Sequence, residues 1–239
     1  MSSAANGTLP GQAQHGPHAS ARAWIPNALT MARVVMAVVF FVMLAVWPRM
    51  GRPAGDATGP GVDPWLLWAW PLFIVAALTD VLDGYLARRW NVITRFGRIM
   101  DPFADKVLVL GAFMFLAGPA FERVAEDGAR YQLSGVAPWM VVVMLSRELL
   151  VTSIRGVLEA DGVQFGADVI GKVKMFVQSA TVPTVLGIIS IYGGLPGSMG
   201  HDVILGFVWA TVIITALSGV PYCWRAARTR AGTSAGARS

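Results

Sequence analysis

The chain has 239 residues, 55% of them hydrophobic and only 14% charged, with a mean hydropathy of +0.56; soluble domains carry about 25% charged residues, so the composition excludes an ordinary soluble domain and defines a membrane protein. The net charge of +5 does not indicate nucleic acid, because the basic residues are dispersed over the loops of an apolar chain rather than gathered into one patch. A lone cysteine, Cys223, excludes an intrachain disulfide and argues against redox or zinc chemistry.

In chain order, residues 1–21 are rich in Ala, Gly, Ser, Gln and Pro and are expected to form a disordered cytoplasmic tail. They lack the charged segment leading directly into an apolar core that marks a secretory signal. Apolar runs of about 17 to 25 residues, long enough to span a bilayer, follow near Ala28–Trp47, Trp65–Leu86, Pro102–Gly118, Pro138–Leu158, Val169–Tyr192 and Val203–Trp224. The expected fold is therefore all-α, a polytopic membrane bundle of six transmembrane helices in one domain, residues 22–228, with a second disordered tail over 229–239. The Gly/Pro-rich stretch Gly51–Pro64 reads as a loop. Arg88, Arg89, Arg95 and Arg98 crowd the link between the second and third spans, and Arg225, Arg228, Arg230 and Arg238 follow the sixth. The positive-inside rule assigns both groups to the cytoplasm. Both termini then face the cytoplasm, and the links Arg49–Asp63, Glu122–Arg130 and Gly193–Asp202 face outward.

The most specific feature lies between Asp80 and Asp105. The sequence reads Asp80-x2-Asp83-Gly84-x2-Ala87-Arg88, then eight residues, then Gly97-x3-Asp101-x3-Asp105. Ionisable groups in or beside a bilayer are costly and mark functional sites. Asp80 and Asp83 are three apart and Asp101 and Asp105 four apart, so on helices each pair projects from one face. A short cytoplasmic turn between the second and third spans brings the pairs together. Hard divalent cations take oxygen ligands, and Mg²⁺ held by carboxylates and substrate phosphates is the usual nucleotide arrangement. Gly84 and Gly97 leave room beside the carboxylates for a substrate or for a packed neighbouring helix. Arg88 is placed to meet a phosphate or to set topology.

The Asp80–Asp105 pattern resembles the signature of the CDP-alcohol phosphotransferase family and matches all eight of its fixed positions. The resemblance implies that Asp80, Asp83, Asp101 and Asp105 bind two divalent ions, Mg²⁺ or Mn²⁺, and that Asp105 also acts as general base. A substrate hydroxyl would then attack the β-phosphate of a CDP-linked lipid and release CMP, with no covalent enzyme intermediate. Two cations can neutralise a pyrophosphate and stabilise the leaving phosphate, and a nearby base can activate a hydroxyl. A second stretch, Pro26-Asn27-Ala28-Leu29-Thr30-Met31-Ala32-Arg33, is similar to one that opens the first span in bacterial members. By position, Asn27, Thr30, Gly84, Arg88 and Thr94 are implied in holding the CDP-lipid. Pro26 and Asn27 also suit a helix start and its cap.

A third patch comprises Ser146-Arg147-Glu148 with Arg155, followed by Gly171-Lys172-Val173-Lys174. Glu148 and Arg155 are seven residues apart and Arg147 and Arg155 eight apart, so all three can share one helix face. Arg147, Arg155, Lys172 and Lys174 would form a cationic pocket for the acceptor phosphate, arginine being well shaped for that group. The alternative is a structural Arg–Glu pair with snorkelling lysines. The arrangement resembles the family branch whose acceptor is sn-glycerol 3-phosphate. It implies transfer of a phosphatidyl group from CDP-diacylglycerol, giving phosphatidylglycerophosphate and CMP, by a homodimer in the cell inner membrane among membrane lipids, with its active site facing the cytoplasm. Other acceptors for the same chemistry are inositol phosphate and phosphatidylglycerol. A divalent-cation transporter is the alternative from another class, and it predicts acidic residues at more than one depth.

Overall fold

The computed structural model describes residues 17–50, 62–90, 95–124, 128–160 and 169–236. Six helices account for nearly all of them: α1 (Pro17–Met50), α2 (Pro64–Trp90), α3 (Arg95–Leu116), α4 (Pro138–Ala160), α5 (Val169–Tyr192) and α6 (Met199–Gly236). Four carry an apolar stretch long enough to cross a bilayer, over Ala28–Arg49, Pro64–Leu82, Ile170–Tyr192 and Met199–Trp224. The apolar part of α3, Lys106–Leu116, is shorter, and the apolar run of α4, an unbroken helix, is interrupted by Arg147, Glu148 and Arg155. The fold is that of a multi-pass membrane protein. Bulky apolar side chains face outward on these helices, among them Val35, Val38, Val39 and Val42 on α1 and Phe176 on α5. Acyl chains satisfy such a surface, whereas water does not.

Helices pack in a closed ring, in the order α1, α2, α5, α6, α4, α3 and back to α1. Phe40, Leu44, Phe73, Phe113, Met144, Leu186 and Ile204 fill its interior and are completely buried. The Phe40 and Phe73 rings lie 5.3 Å apart and tilted, the offset geometry that aromatic quadrupoles favour. At Gly111 any Cβ would fall 2.4 Å from the Phe41 ring, so a hydrogen there is what lets α1 and α3 approach.

One end of the bundle is closed by polar capping. Asp63 accepts the backbone N–H of Trp65 (2.9 Å) and Leu66 (3.2 Å) on one oxygen, and the Trp47 indole N–H (2.8 Å) on the other. It thereby caps α2, whose Pro64 occupies the first position, where no N–H is needed. Beyond α3, a 3₁₀ turn at Pro119–Phe121 leads into a two-stranded antiparallel hairpin, β1 (Glu122–Val124) and β2 (Arg130–Gln132). The side chains of Gln132 and Ser134 donate to the carbonyl of Leu116 at 2.7 and 2.6 Å, satisfying an acceptor that the end of α3 would leave open. Arg123 stacks over the Trp47 ring at 5.0 Å. Burial lowers its guanidinium from the ordinary value, opposed by Tyr131 and Asp63.

Several sequence expectations are adjusted. The all-α reading omits the hairpin, whose three-residue strands are too short to show alternation. Helix α1 starts at Pro17 and α6 reaches Gly236, so helix overlaps both segments read as tails; Ala19, Ala21 and Ala23, and Ala226, Ala227 and Ala231, are strong helix formers. Because α1 runs unbroken through Pro26, Asn27 is an interior residue and not a cap. The expected outward loop at Gly51–Pro64 lies largely outside the described residues.

Candidate active site

Asp80 and Asp83 lie within α2, which continues to Trp90, and Asp101 and Asp105 lie within α3, which already begins at Arg95. The signature is thus carried on two helices joined at residues 91–94, deeper in each than a reading of the spans alone suggests. Ala87, Arg88 and Arg89 end the apolar stretch while continuing to favour helix. Among the four aspartates only the side chain of Asp80 belongs to the described residues. Those of Asp83, Asp101 and Asp105 lie outside them, as do those of Asn27 and Arg88, and Thr94 lies outside altogether.

Asp80 is held by a residue that sequence reasoning quoted but did not place in the site. The guanidinium of Arg33, completely buried on α1, donates from Nη1 to Asp80 Oδ1 at 2.5 Å, while the Asp80 side chain keeps 29% exposure. Arg33 Nε also reaches Thr79 Oγ1 at 3.4 Å. The stretch around Thr30, itself buried, and Arg33 therefore packs against the start of the signature, with half-buried Gly84 one turn further along α2. A carboxylate offers about four acceptor sites, so an arginine bond on one oxygen is compatible with a cation on Asp80. The donor set suits a hard divalent ion: carboxylates in i, i+3 and i, i+4 register, with the sole cysteine, Cys223, exposed on α6.

A cavity of about 410 Å³ lies between α3, α4, α5 and α6. Arg147, Arg155, Lys172 and Lys174 all line it, so the structure brings the four basic residues together. Glu148 is buried beneath them, accepting from Arg147 Nη1 at 3.0 Å and from Lys174 Nζ. The remaining contacts come from elements that gave no signal. Arg147 Nη2 donates to the Ser218 carbonyl at 3.3 Å and Arg155 Nη2 to the Tyr222 hydroxyl at 3.1 Å, both on α6. Lys106 on α3 enters the same cavity and donates to Thr152 Oγ1 on α4 at 2.9 Å. The buried Nε atoms of Arg147 and Arg155 have no hydrogen-bond partner among the described residues. Buried donors in that state are rare in folded proteins and suit a ligand acceptor.

Lys106 immediately follows Asp105, so the basic cavity and the acidic signature adjoin on α3. Asp63, buried just before α2, lies about 25 Å from Asp80 along that helix and serves as the cap described above. Carboxylates and guanidinium groups side by side within an apolar bundle suit phosphate chemistry on a lipid. The chain belongs to the CDP-alcohol phosphatidyltransferase family, whose model matches residues 23–220. It is 33% identical over 211 residues to the CDP-diacylglycerol–glycerol-3-phosphate 3-phosphatidyltransferase of Bacillus subtilis, covering 86% of this chain and 97% of that protein. A probable phosphatidylglycerophosphate synthase of Mycobacterium tuberculosis is 31% identical over 208 residues, 87% of this chain and 84% of its own. A CMP-forming cardiolipin synthase of Streptomyces coelicolor is 32% identical over 138 residues, 58% of this chain and 53% of its own.

Proposed function

We propose that the protein transfers the phosphatidyl group of CDP-diacylglycerol to sn-glycerol 3-phosphate, yielding phosphatidylglycerophosphate and CMP. The observation that carries this reading is the basic cavity beside the signature, joined to relatives that bear the glycerol-3-phosphate activity in their names over nearly the whole chain. The free primary hydroxyl of the acceptor forms a bond to the β-phosphorus, the phosphoanhydride bond to CMP breaks, and the hydroxyl proton passes to Asp105. Asp80, Asp83, Asp101 and Asp105 hold Mg²⁺ or Mn²⁺, in two ions, which supply charge neutralisation for the diphosphate. Arg33 supports this by fixing one oxygen of Asp80. Asn27, Thr30, Gly84, Arg88 and Thr94 hold the CDP moiety, and the acyl chains lie among the helices.

The acceptor phosphate is bound by Arg147, Arg155, Lys172 and Lys174. A dianionic monoester matches several cations better than phosphatidylglycerol, which carries one diester charge. The cardiolipin synthase relative supports phosphatidylglycerol as the second reading, over a shorter part of the chain. All six helices cross the bacterial inner membrane, residues 22–228 forming one domain, with both termini and the signature in the cytoplasm, and two chains form a homodimer.

Arg155 offers the cleaner test because its described partner is the neutral Tyr222 hydroxyl, whereas Arg147 also balances Glu148. Arg155→Ala is expected to raise the KM for glycerol 3-phosphate about 10- to 100-fold, the size of a lost hydrogen bond to a charged group, and to change that for CDP-diacylglycerol less than about threefold. Equal changes for both substrates contradict the assignment.

A further inference from the structure

We infer that Lys106 is a specificity-determining cation for the acceptor phosphate, set between the signature and the basic cavity. The inference rests on the acceptor reading above and extends it to a residue on a different helix. Among the described residues, the cavity holds five cations, Lys106, Arg147, Arg155, Lys172 and Lys174, against one carboxylate, Glu148. Arg147 and Lys174 both direct their charge at Glu148. Lys106 and Arg155 are held instead by the neutral hydroxyls of Thr152 and Tyr222.

A hydroxyl orients a cation without neutralising it. An ammonium group donates up to three hydrogen bonds, so the bond to Thr152 leaves Lys106 able to take a phosphate oxygen, although its charge also acts on Glu148. Arg147 and Lys174 thus bond Glu148 directly, while Lys106 and Arg155, on α3 and α4, are bonded among the described residues to hydroxyls, and five cations against one carboxylate leave the described lining net positive. Lys106 is also adjacent in sequence to Asp105. A phosphate held by Lys106 is therefore tethered to the helix that carries the proposed base, which limits how far the acceptor hydroxyl lies from it. A neutral alcohol gains nothing from that tether, so Lys106 selects a phosphorylated acceptor.

The test uses the full-length protein in detergent and compares Lys106→Gln, Lys106→Arg and Thr152→Val. CMP release is measured against each substrate, and thermal unfolding is followed with and without inorganic phosphate. Lys106→Gln is expected to raise the KM for glycerol 3-phosphate about 10- to 100-fold with little change for CDP-diacylglycerol, and to reduce the stabilisation by phosphate; Lys106→Arg restores most of both. Thr152→Val, which removes the hydroxyl that orients Lys106 but keeps its charge, raises the acceptor KM much less than Lys106→Gln does and leaves that for CDP-diacylglycerol unchanged. If Lys106 is merely a strut between α3 and α4, Thr152→Val and Lys106→Gln act alike and shift both KM values together, which overturns the inference. Failure of the acceptor reading looks different. A wild type that releases CMP with another phosphorylated acceptor, still weakened by Lys106→Gln, overturns glycerol 3-phosphate and supports Lys106.

Discussion

Asp105→Asn, at the proposed general base, is expected to abolish CMP release, lowering the rate by at least the 10²- to 10⁴-fold that general-base catalysis contributes. Asparagine matches aspartate in shape but neither accepts the hydroxyl proton nor offers a charged oxygen to a divalent ion. The loss therefore falls on kcat and is not recovered by raising either substrate. The replacement leaves the fold intact, because α3 is anchored by Ala104, Leu108, Val109, Ala112, Phe113 and Leu116, all buried in the ring. Steady-state kinetics alongside a thermal unfolding curve checks both halves: a variant with wild-type stability and unchanged kcat removes Asp105 from the chemistry.

Glu148→Gln is expected to give the largest loss of stability. The side chains of Arg147 and Lys174 are 10% and 6% exposed, and Glu148 is the carboxylate described between them. Removing one member of a buried ionic group leaves uncompensated charge and costs about 3–5 kcal/mol. For a chain of this size that lowers the unfolding midpoint by about 10 °C. Inorganic phosphate should stabilise the variant more than the wild type, since an anion that binds only the folded state adds stability by mass action and here meets a more positive cavity. Measuring the midpoint across a phosphate series decides the matter; an unchanged midpoint shows that the cations do not depend on Glu148.

What the sequence disclosed and what it withheld divide along physical lines. Apolar runs located all six helices, because span length and composition are properties of a contiguous segment. Charges on one helix were also legible: the spacing of Arg147, Glu148 and Arg155 implied one face, and the three do lie together around the cavity. The contacts that complete the site join residues far apart in the chain, Arg33 to Asp80 across 47 positions, Lys106 to Thr152 across 46 and Arg155 to Tyr222 across 67. These depend on which helices become neighbours in the ring, and no periodicity within α1, α3 or α6 specifies that. The position of Lys106 beside Asp105 was a usable signal, since a lysine following a signature aspartate on a membrane helix needs an explanation. Tyr222 gave none: a tyrosine near the end of an apolar helix is an ordinary interfacial residue.

The most direct test of the whole account is CMP release by the purified full-length protein in detergent, with CDP-diacylglycerol and Mg²⁺, comparing glycerol 3-phosphate, inositol phosphate, phosphatidylglycerol, serine and no acceptor. The account predicts release that depends on glycerol 3-phosphate, with phosphatidylglycerophosphate as the lipid product. Release driven by phosphatidylglycerol or serine instead contradicts the reading of the basic cavity, and no release with any acceptor contradicts phosphatidyl transfer itself.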